Sequence, residues 1–174
     1  LLQGLRFESE QRPLAIRLAA PTGKAAAQLS SSIAKSLQSI SLPSADQFAD
    51  TLRATIPTEV TTLHRLLGVV PGSRHFRHNA SHPLTADLVV VDEASMVDVE
   101  MMSALLDALR PSARLLLIGD KDQLASVETG YVFGDLCTDA AKGGYHQTTI
   151  DWIENITGEK IPDSLASEQG TPLQ

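Results

Sequence analysis

The chain has 174 residues, the size of one domain with a buried core, and a formal net charge of −7 at pH 7. No stretch approaches the roughly 18 continuous apolar residues of a membrane span, and no basic-then-apolar leader opens it, so a non-exported, cytoplasmic chain away from membranes is expected. The one cysteine, Cys137, has no intrachain partner and no metal-ligand spacing around it, which favours a packing role in a reducing compartment.

In chain order, Leu14 to Ala19 reads as a short strand. Lys24 to about Ile40 reads as a helix, because Ala26, Leu29, Ile33, Leu37 and Ile40 recur at helical spacing. Between them, Pro21-Thr22-Gly23-Lys24 sits at a strand's carboxyl end and a helix N-terminus, where free N–H groups and a cation suit a phosphate. That turn fails the G-x-x-x-x-G-K-[ST] test, with Leu18 in place of the first glycine and Ala25 in place of the hydroxyl that would ligate Mg²⁺. The opening Leu1-Leu2-Gln3-Gly4-Leu5 reads as the end of a helix already under way, so a true phosphate loop is expected upstream of it.

Ser41 to Ala54 is polar and broken by Pro43, which suits a loop with a short helix, and Thr62 to Leu67 forms another short helix carrying His64 and Arg65. From Val69 to about Ala86 lies a polar insertion with a Pro71-Gly72 turn. It holds Arg74, Phe76, Arg77, His75, His78 and His82, and no acid between Pro71 and Pro83. The histidines alone do not complete a zinc set, since no cysteine or acid in the loop joins them. Leu88 to Val91 and Leu115 to Ile118 are unbroken apolar runs, the pattern of parallel strands buried on both faces. Ser95 and Asp98 give an S-x-x-D capping signal ahead of Val99, Met102, Leu106 and Leu109. Gly130 to Lys142 is expected to be helical, with Gly143-Gly144 as its stop. The stretch from Glu159 has no period and reads as a poorly ordered tail. No internal repeat is present.

Chemistry gathers where the apolar runs stop. Open parallel sheets bind ligands beyond the carboxyl ends of their strands, so Asp92 and Glu93 after the first run, and Gly119, Asp120 and Gln123 after the second, face one crevice. Water attack on a terminal phosphoryl group requires a carboxylate for the water shell of Mg²⁺, a general base and a polar group near the γ-phosphate. Asp92, Glu93 and Gln123 suit these roles in that order, with Gly119 and Asp120 lining the nucleotide side. A competing reading makes the acids mere caps of the following helix.

These residues carry a resemblance. Leu18 to Ala27, Thr62-Leu63-His64-Arg65-Leu66-Leu67-Gly68, Val90-Val91-Asp92-Glu93-Ala94-Ser95-Met96 and Gly119 to Val127 resemble motif Ia, the T-x-H element, motif II and motif III of superfamily 1 DNA helicases. Their wording is most similar to the RecD-like branch, the alpha subunits of exodeoxyribonuclease V, over about Arg17 to Cys137.

The resemblance implies an α/β fold: a parallel sheet flanked by helices, the RecA-like P-loop NTPase core, incomplete because the P-loop strand and helix are missing. Residues 1–158 would be a partial motor domain with a hairpin-like insertion at about 69–86, and 159–174 a tail. It implies ATP and Mg²⁺ as cofactors, 5′ to 3′ helicase activity, and single-stranded DNA, DNA ends and the RecB and RecC subunits as partners. Thr22, Lys24, His64, Arg65, Arg74, Phe76 and Arg77 would then meet DNA, while this chain alone would hydrolyse no ATP. A related RecD-like or Pif1-like helicase and a non-catalytic module are the alternatives. The net acidity conflicts with DNA binding only in the total. Asp151 to Gln174 holds five acids against Lys160, whereas the insertion is basic.

Overall fold

The computed structural model describes residues 13–39, 54–120, 132–138 and 144–167. Four strands form one parallel sheet: β1 (Ile16–Ala20), β2 (Val60–Thr62), β3 (Leu88–Val91) and β4 (Arg114–Leu117), in the order β2-β1-β3-β4. Helix α1 (Gly23–Ser39) lies between β1 and β2 in the chain, and α3 (Val99–Asp107) between β3 and β4. Parallel neighbours need such crossovers, because a tight turn can join only antiparallel strands.

Register fixes the site. Ala20 pairs with Thr62, Ala19 with Val91, and Val91 with Leu117, so all four strands end within about a residue of one another. The backbone continues this alignment past the last pairs. The Asp92 N–H donates to the Ala19 carbonyl at 3.0 Å, and the Ile118 N–H to the Val91 carbonyl at 2.8 Å. At the opposite edge Asp87 is structural, its carboxylate accepting the Ala15 N–H at 2.9 Å.

The core lies under β1 and β3. Ala19, Ala20, Val89 and Val91 are fully buried, as the apolar runs require. The five-residue helix α2 (Leu63–Leu67) is too short to persist alone. It is held by complete burial of Leu63 and Leu67, each contributing about 1.5–3 kcal/mol. This leaves His64 and Arg65 on its exposed side.

Several expectations need correction. β2 was not anticipated: three residues with two threonines give no period, and the strand exists because β1 offers it an edge. β4 begins one residue earlier than Leu115. It is not buried on both faces either, since Leu116 and Ile118 are each 47% exposed at the outer strand of the described sheet. Helix α3 is capped by Asp98 and not by Ser95. The Met101 N–H donates to Asp98 Oδ1 at 2.7 Å, while Ser95 lies buried in a 3-10 turn, Ala94–Met96.

Phe133–Gln174 forms a second compact unit. There α4 (Val132–Leu136) is shorter than the helix expected over 130–142, and α5 (Gln147–Thr157) was not anticipated. Gly158, in the left-handed conformation at φ 73°, ends α5 by donating its N–H to the Glu154 carbonyl. Beyond it a 3-10 turn, Asp163–Leu165, returns to the 144–145 segment. Leu165 O accepts the N–H groups of Gly144 and Tyr145, each at 2.9 Å. The stretch expected as a loop with a short helix, 41–54, lies almost wholly outside the described residues, as does 168–174. Cys137 is free and half-buried. No helix among the described residues is long and apolar enough to cross a membrane.

Candidate functional site at the carboxyl edge of the sheet

Asp92 and Glu93 follow β3 directly at the aligned strand ends, with Gly119 and Asp120 exposed just past β4. The capping explanation for the acid pair fails on geometry. Glu93 precedes the 3-10 turn but makes no side-chain cap bond, and among the described residues neither Asp92 nor Glu93 has a side-chain hydrogen bond or ion pair. Capping belongs to Asp98 instead.

Glu93 is also the one non-glycine residue with positive φ among the described residues, at φ 54° and ψ 38°. For an L-residue this conformation costs about 1–2 kcal/mol, and it persists only where the surroundings impose it. Here the next residue is clamped: the Ala94 N–H donates to Ile118 O at 2.8 Å and the Met96 N–H to Glu93 O at 3.0 Å. The backbone at the strand end is thereby fixed by these bonds, and the Glu93 carboxylate oxygens have no hydrogen bond or ion pair among the described residues. Gln123, expected beside it, lies outside the described residues.

Across β1 from β3's end, the Pro21-Thr22 turn leads into α1. Thr22 is its cap, with Oγ1 accepting the Ala25 N–H at 3.2 Å, so its hydroxyl proton remains available to donate. Lys24 is exposed and unpaired among the described residues. A Cβ added at Gly23 would meet nothing within 4 Å, so packing does not demand glycine there and the space beside the helix start is open to an approaching anion. No acid stands in the first turn of α1 to oppose one.

The insertion folds back onto α2. Arg77 N–H donates to Gly68 O at 2.8 Å and His78 N–H to Leu67 O at 2.9 Å, with single antiparallel bridges between Val69 and Phe76 and between Asn79 and His82. Gly68 permits this. Its φ is +76°, and a Cβ there would lie 3.0 Å from Arg77 Cβ. The closure sets the His64 ring edge-on to Phe76, with centroids 6.0 Å apart and planes at 69°.

A groove of about 590 Å³ opens between the insertion and α3. His64, Arg74, His75 and Phe76 line one side, and Glu100 and Asp107 the other. A smaller cavity of about 180 Å³ adjoins it, sharing His64, Asp98 and Met101 and reaching Pro21 and Thr22. His64, Arg74 and Phe76 therefore share the groove, and His64 also lines the smaller cavity at the Thr22 turn. Arg65 and Arg77 do not line either cavity, Arg77 being packed over Gly68. His75, His78 and His82 form no metal cluster: no group of three or more potential ligands occurs among the described residues, and His78 Nδ1 lies 3.2 Å from the His82 carbonyl.

Sequence reasoning missed the acidic wall. Its signal was present in α3, where Glu100, Ala104 and Asp107 fall on one helical face turned away from the buried Met102 and Leu105.

Comparison with known proteins agrees with this arrangement. A family model described as an AAA domain matches residues 5–129. The RecBCD enzyme subunit RecD of Haemophilus influenzae is 41% identical over 154 residues, covering 88% of this chain and 24% of that protein. The subunit of the same name from Mycolicibacterium smegmatis is 48% identical over 122 residues, 70% of this chain and 21% of its own length. The ATP-dependent RecD2 DNA helicase of Deinococcus radiodurans is 38% identical over 122 residues, 70% of this chain and 14% of that helicase. The chain thus spans about a quarter or less of the length of these relatives. A parallel sheet flanked by helices, with carboxylates at its carboxyl edge and these relatives in sequence, identifies the chain as a member of the AAA domain family with a RecD-like sequence.

Proposed function

We propose that this chain is part of the first motor domain of an ATP-dependent 5′ to 3′ DNA helicase, a RecD-type subunit working with RecB and RecC in the cytoplasm on DNA ends. The observation that carries it is the pair of unpartnered carboxylates, Asp92 and strained Glu93, held at the strand ends beside the Thr22-Gly23-Lys24 turn.

The donor chemistry fits Mg²⁺. This ion takes oxygen ligands and is usually bound through one or two carboxylates, waters and the nucleotide's own phosphates, which does not require an all-protein cage. Asp92 would hold it through water. When bound, Mg²⁺–ATP supplies the phosphoryl group and the neutralisation of its charge. Glu93 takes the proton of the attacking water, while Gln123 orients that water and Gly119 and Asp120 border the nucleotide. Thr22 and Lys24 grip a phosphate of single-stranded DNA. His64, Phe76 and Arg74 continue the track along the groove, and Arg65 and Arg77 add charge at its margins.

Strand separation tests this directly. The full-length protein should unwind a duplex bearing a 5′ single-stranded overhang in the presence of ATP and fail on a 3′ overhang, and failure on both would reject the reading. The Deinococcus relative is named a DNA helicase and not a RecBCD subunit, which favours a second reading, a RecD-like helicase that works without RecB and RecC. Failure of the full-length protein to assemble with RecB and RecC, with unwinding retained, would decide for it.

A further inference from the structure

We propose that the groove between the insertion and α3 reads a base of single-stranded DNA, favouring bases with an exocyclic amino group over thymine. The proposal rests on the single-strand reading given above and adds a base preference to it.

The groove's two walls are opposite in charge, yet no ion pair closes it. Arg74 and His75 stand on the insertion side and Glu100 and Asp107 on α3, all exposed, and none has an ion-pair partner among the described residues. At about 590 Å³, the space lies within the range of small-ligand sites. Its occupant must present an anion to one wall, hydrogen-bond donors to the other and a flat apolar face between them, where Phe76 and Met101 line the cavity. A nucleotide has all three.

Its phosphate suits Arg74, its face suits an aromatic ring, and its edge would meet carboxylates, which only accept hydrogen bonds. Cytosine offers N4–H₂ at that edge and adenine N6–H₂. Thymine has the O4 carbonyl, which a carboxylate repels, where cytosine has its amino group, and keeps only the ring N3–H as a donor. The cavity at Pro21 and Thr22 shares His64, Asp98 and Met101 with the groove, so a strand gripped at that turn passes next to its wall. Acids on a DNA path weaken binding to every sequence; aimed at base edges, they make that penalty depend on the base.

Binding of the full-length protein to oligo(dC) and oligo(dT) of equal length and at equal salt tests this, because the phosphate contribution is common to both. Oligo(dC) is expected to bind about fivefold more tightly, the low end of discrimination by a base-edge contact. The double variant Glu100→Gln with Asp107→Asn should bring the ratio to about one while tightening both complexes, since an amide also donates to O4 and two repelling charges are gone. Both positions are exposed on α3, and an unchanged circular dichroism spectrum verifies the fold. A wild-type ratio near one, with both oligonucleotides bound, overturns the proposal and leaves the groove to a protein segment of mixed charge. A ratio unchanged in the double variant overturns it as well. Failure to bind either oligonucleotide overturns the single-strand reading itself.

Discussion

Replacing Glu93 with glycine should make the protein more stable and less active at once. Its left-handed backbone costs a non-glycine residue about 1–2 kcal/mol, and glycine removes that strain. Glycine's greater freedom in the unfolded chain gives back about 0.5–1 kcal/mol. No hydrogen bond or ion pair is lost with the side chain, since it makes none among the described residues. The net gain is about 0.5–1 kcal/mol. With a urea dependence of about 2 kcal/mol per molar for a domain of this size, the unfolding midpoint should rise by about 0.3–0.5 M. Circular dichroism against urea measures it. Glu93→Ala, which keeps the strained backbone, should leave the midpoint near wild type. A midpoint that falls in Glu93→Gly would refute the reasoning, by showing that the carboxylate holds the fold together.

Lys24→Ala in the full-length protein should weaken single-strand binding and reduce the salt slope by about 0.7, with ATP binding unchanged, as read by fluorescence anisotropy at several salt concentrations. Loss of ATP binding without DNA would assign that turn to the nucleotide instead. Gly68→Ala should destabilise by about 1–3 kcal/mol, because φ +76° disfavours a side chain and the new Cβ meets Arg77; an unchanged urea midpoint would contradict it. Thr61 Oγ1 is buried with no hydrogen-bond partner among the described residues, so Thr61→Val, similar in shape, should stabilise by about 1 kcal/mol in the same assay, and a loss of stability would reveal a partner for that hydroxyl.

The parts of the fold written in apolar runs and strong periods were legible. Leu88–Val91 appears with the boundaries its four apolar residues suggest, and α1 covers the helical repeat from Ala26 to Leu37. What escaped depended on neighbours. β2 is a strand only because of its pairing with β1, and α5 dilutes Ile150 and Ile153 among threonine, asparagine and acid, which weakens the period. The capping signal was ambiguous at the level of sequence, since both Ser95 and Asp98 are good caps. The 3-10 turn through Ala94–Met96 decides it by moving the helix start past Asp98.

The site divides the same way. The placement of Asp92 and Glu93 at a strand end was legible because the apolar run stops there, whereas the left-handed φ at Glu93 goes with the clamp between Ala94 and Ile118, residues 24 positions apart. The groove was illegible because it needs the insertion to fold back over Gly68 before Phe76 can meet His64 and Arg74 can face α3.

The central claim is that Glu93 is the base of an ATP-hydrolysing site whose phosphate cradle lies elsewhere. Glu93→Gln in the full-length protein isolates that claim, since it keeps size and polarity while removing the proton acceptor. Parallel assays of ATP binding and DNA-stimulated hydrolysis should show hydrolysis reduced by about 10²–10⁴-fold with the ATP dissociation constant nearly unchanged. Equal loss of binding and hydrolysis, or hydrolysis at the wild-type rate, would contradict the account.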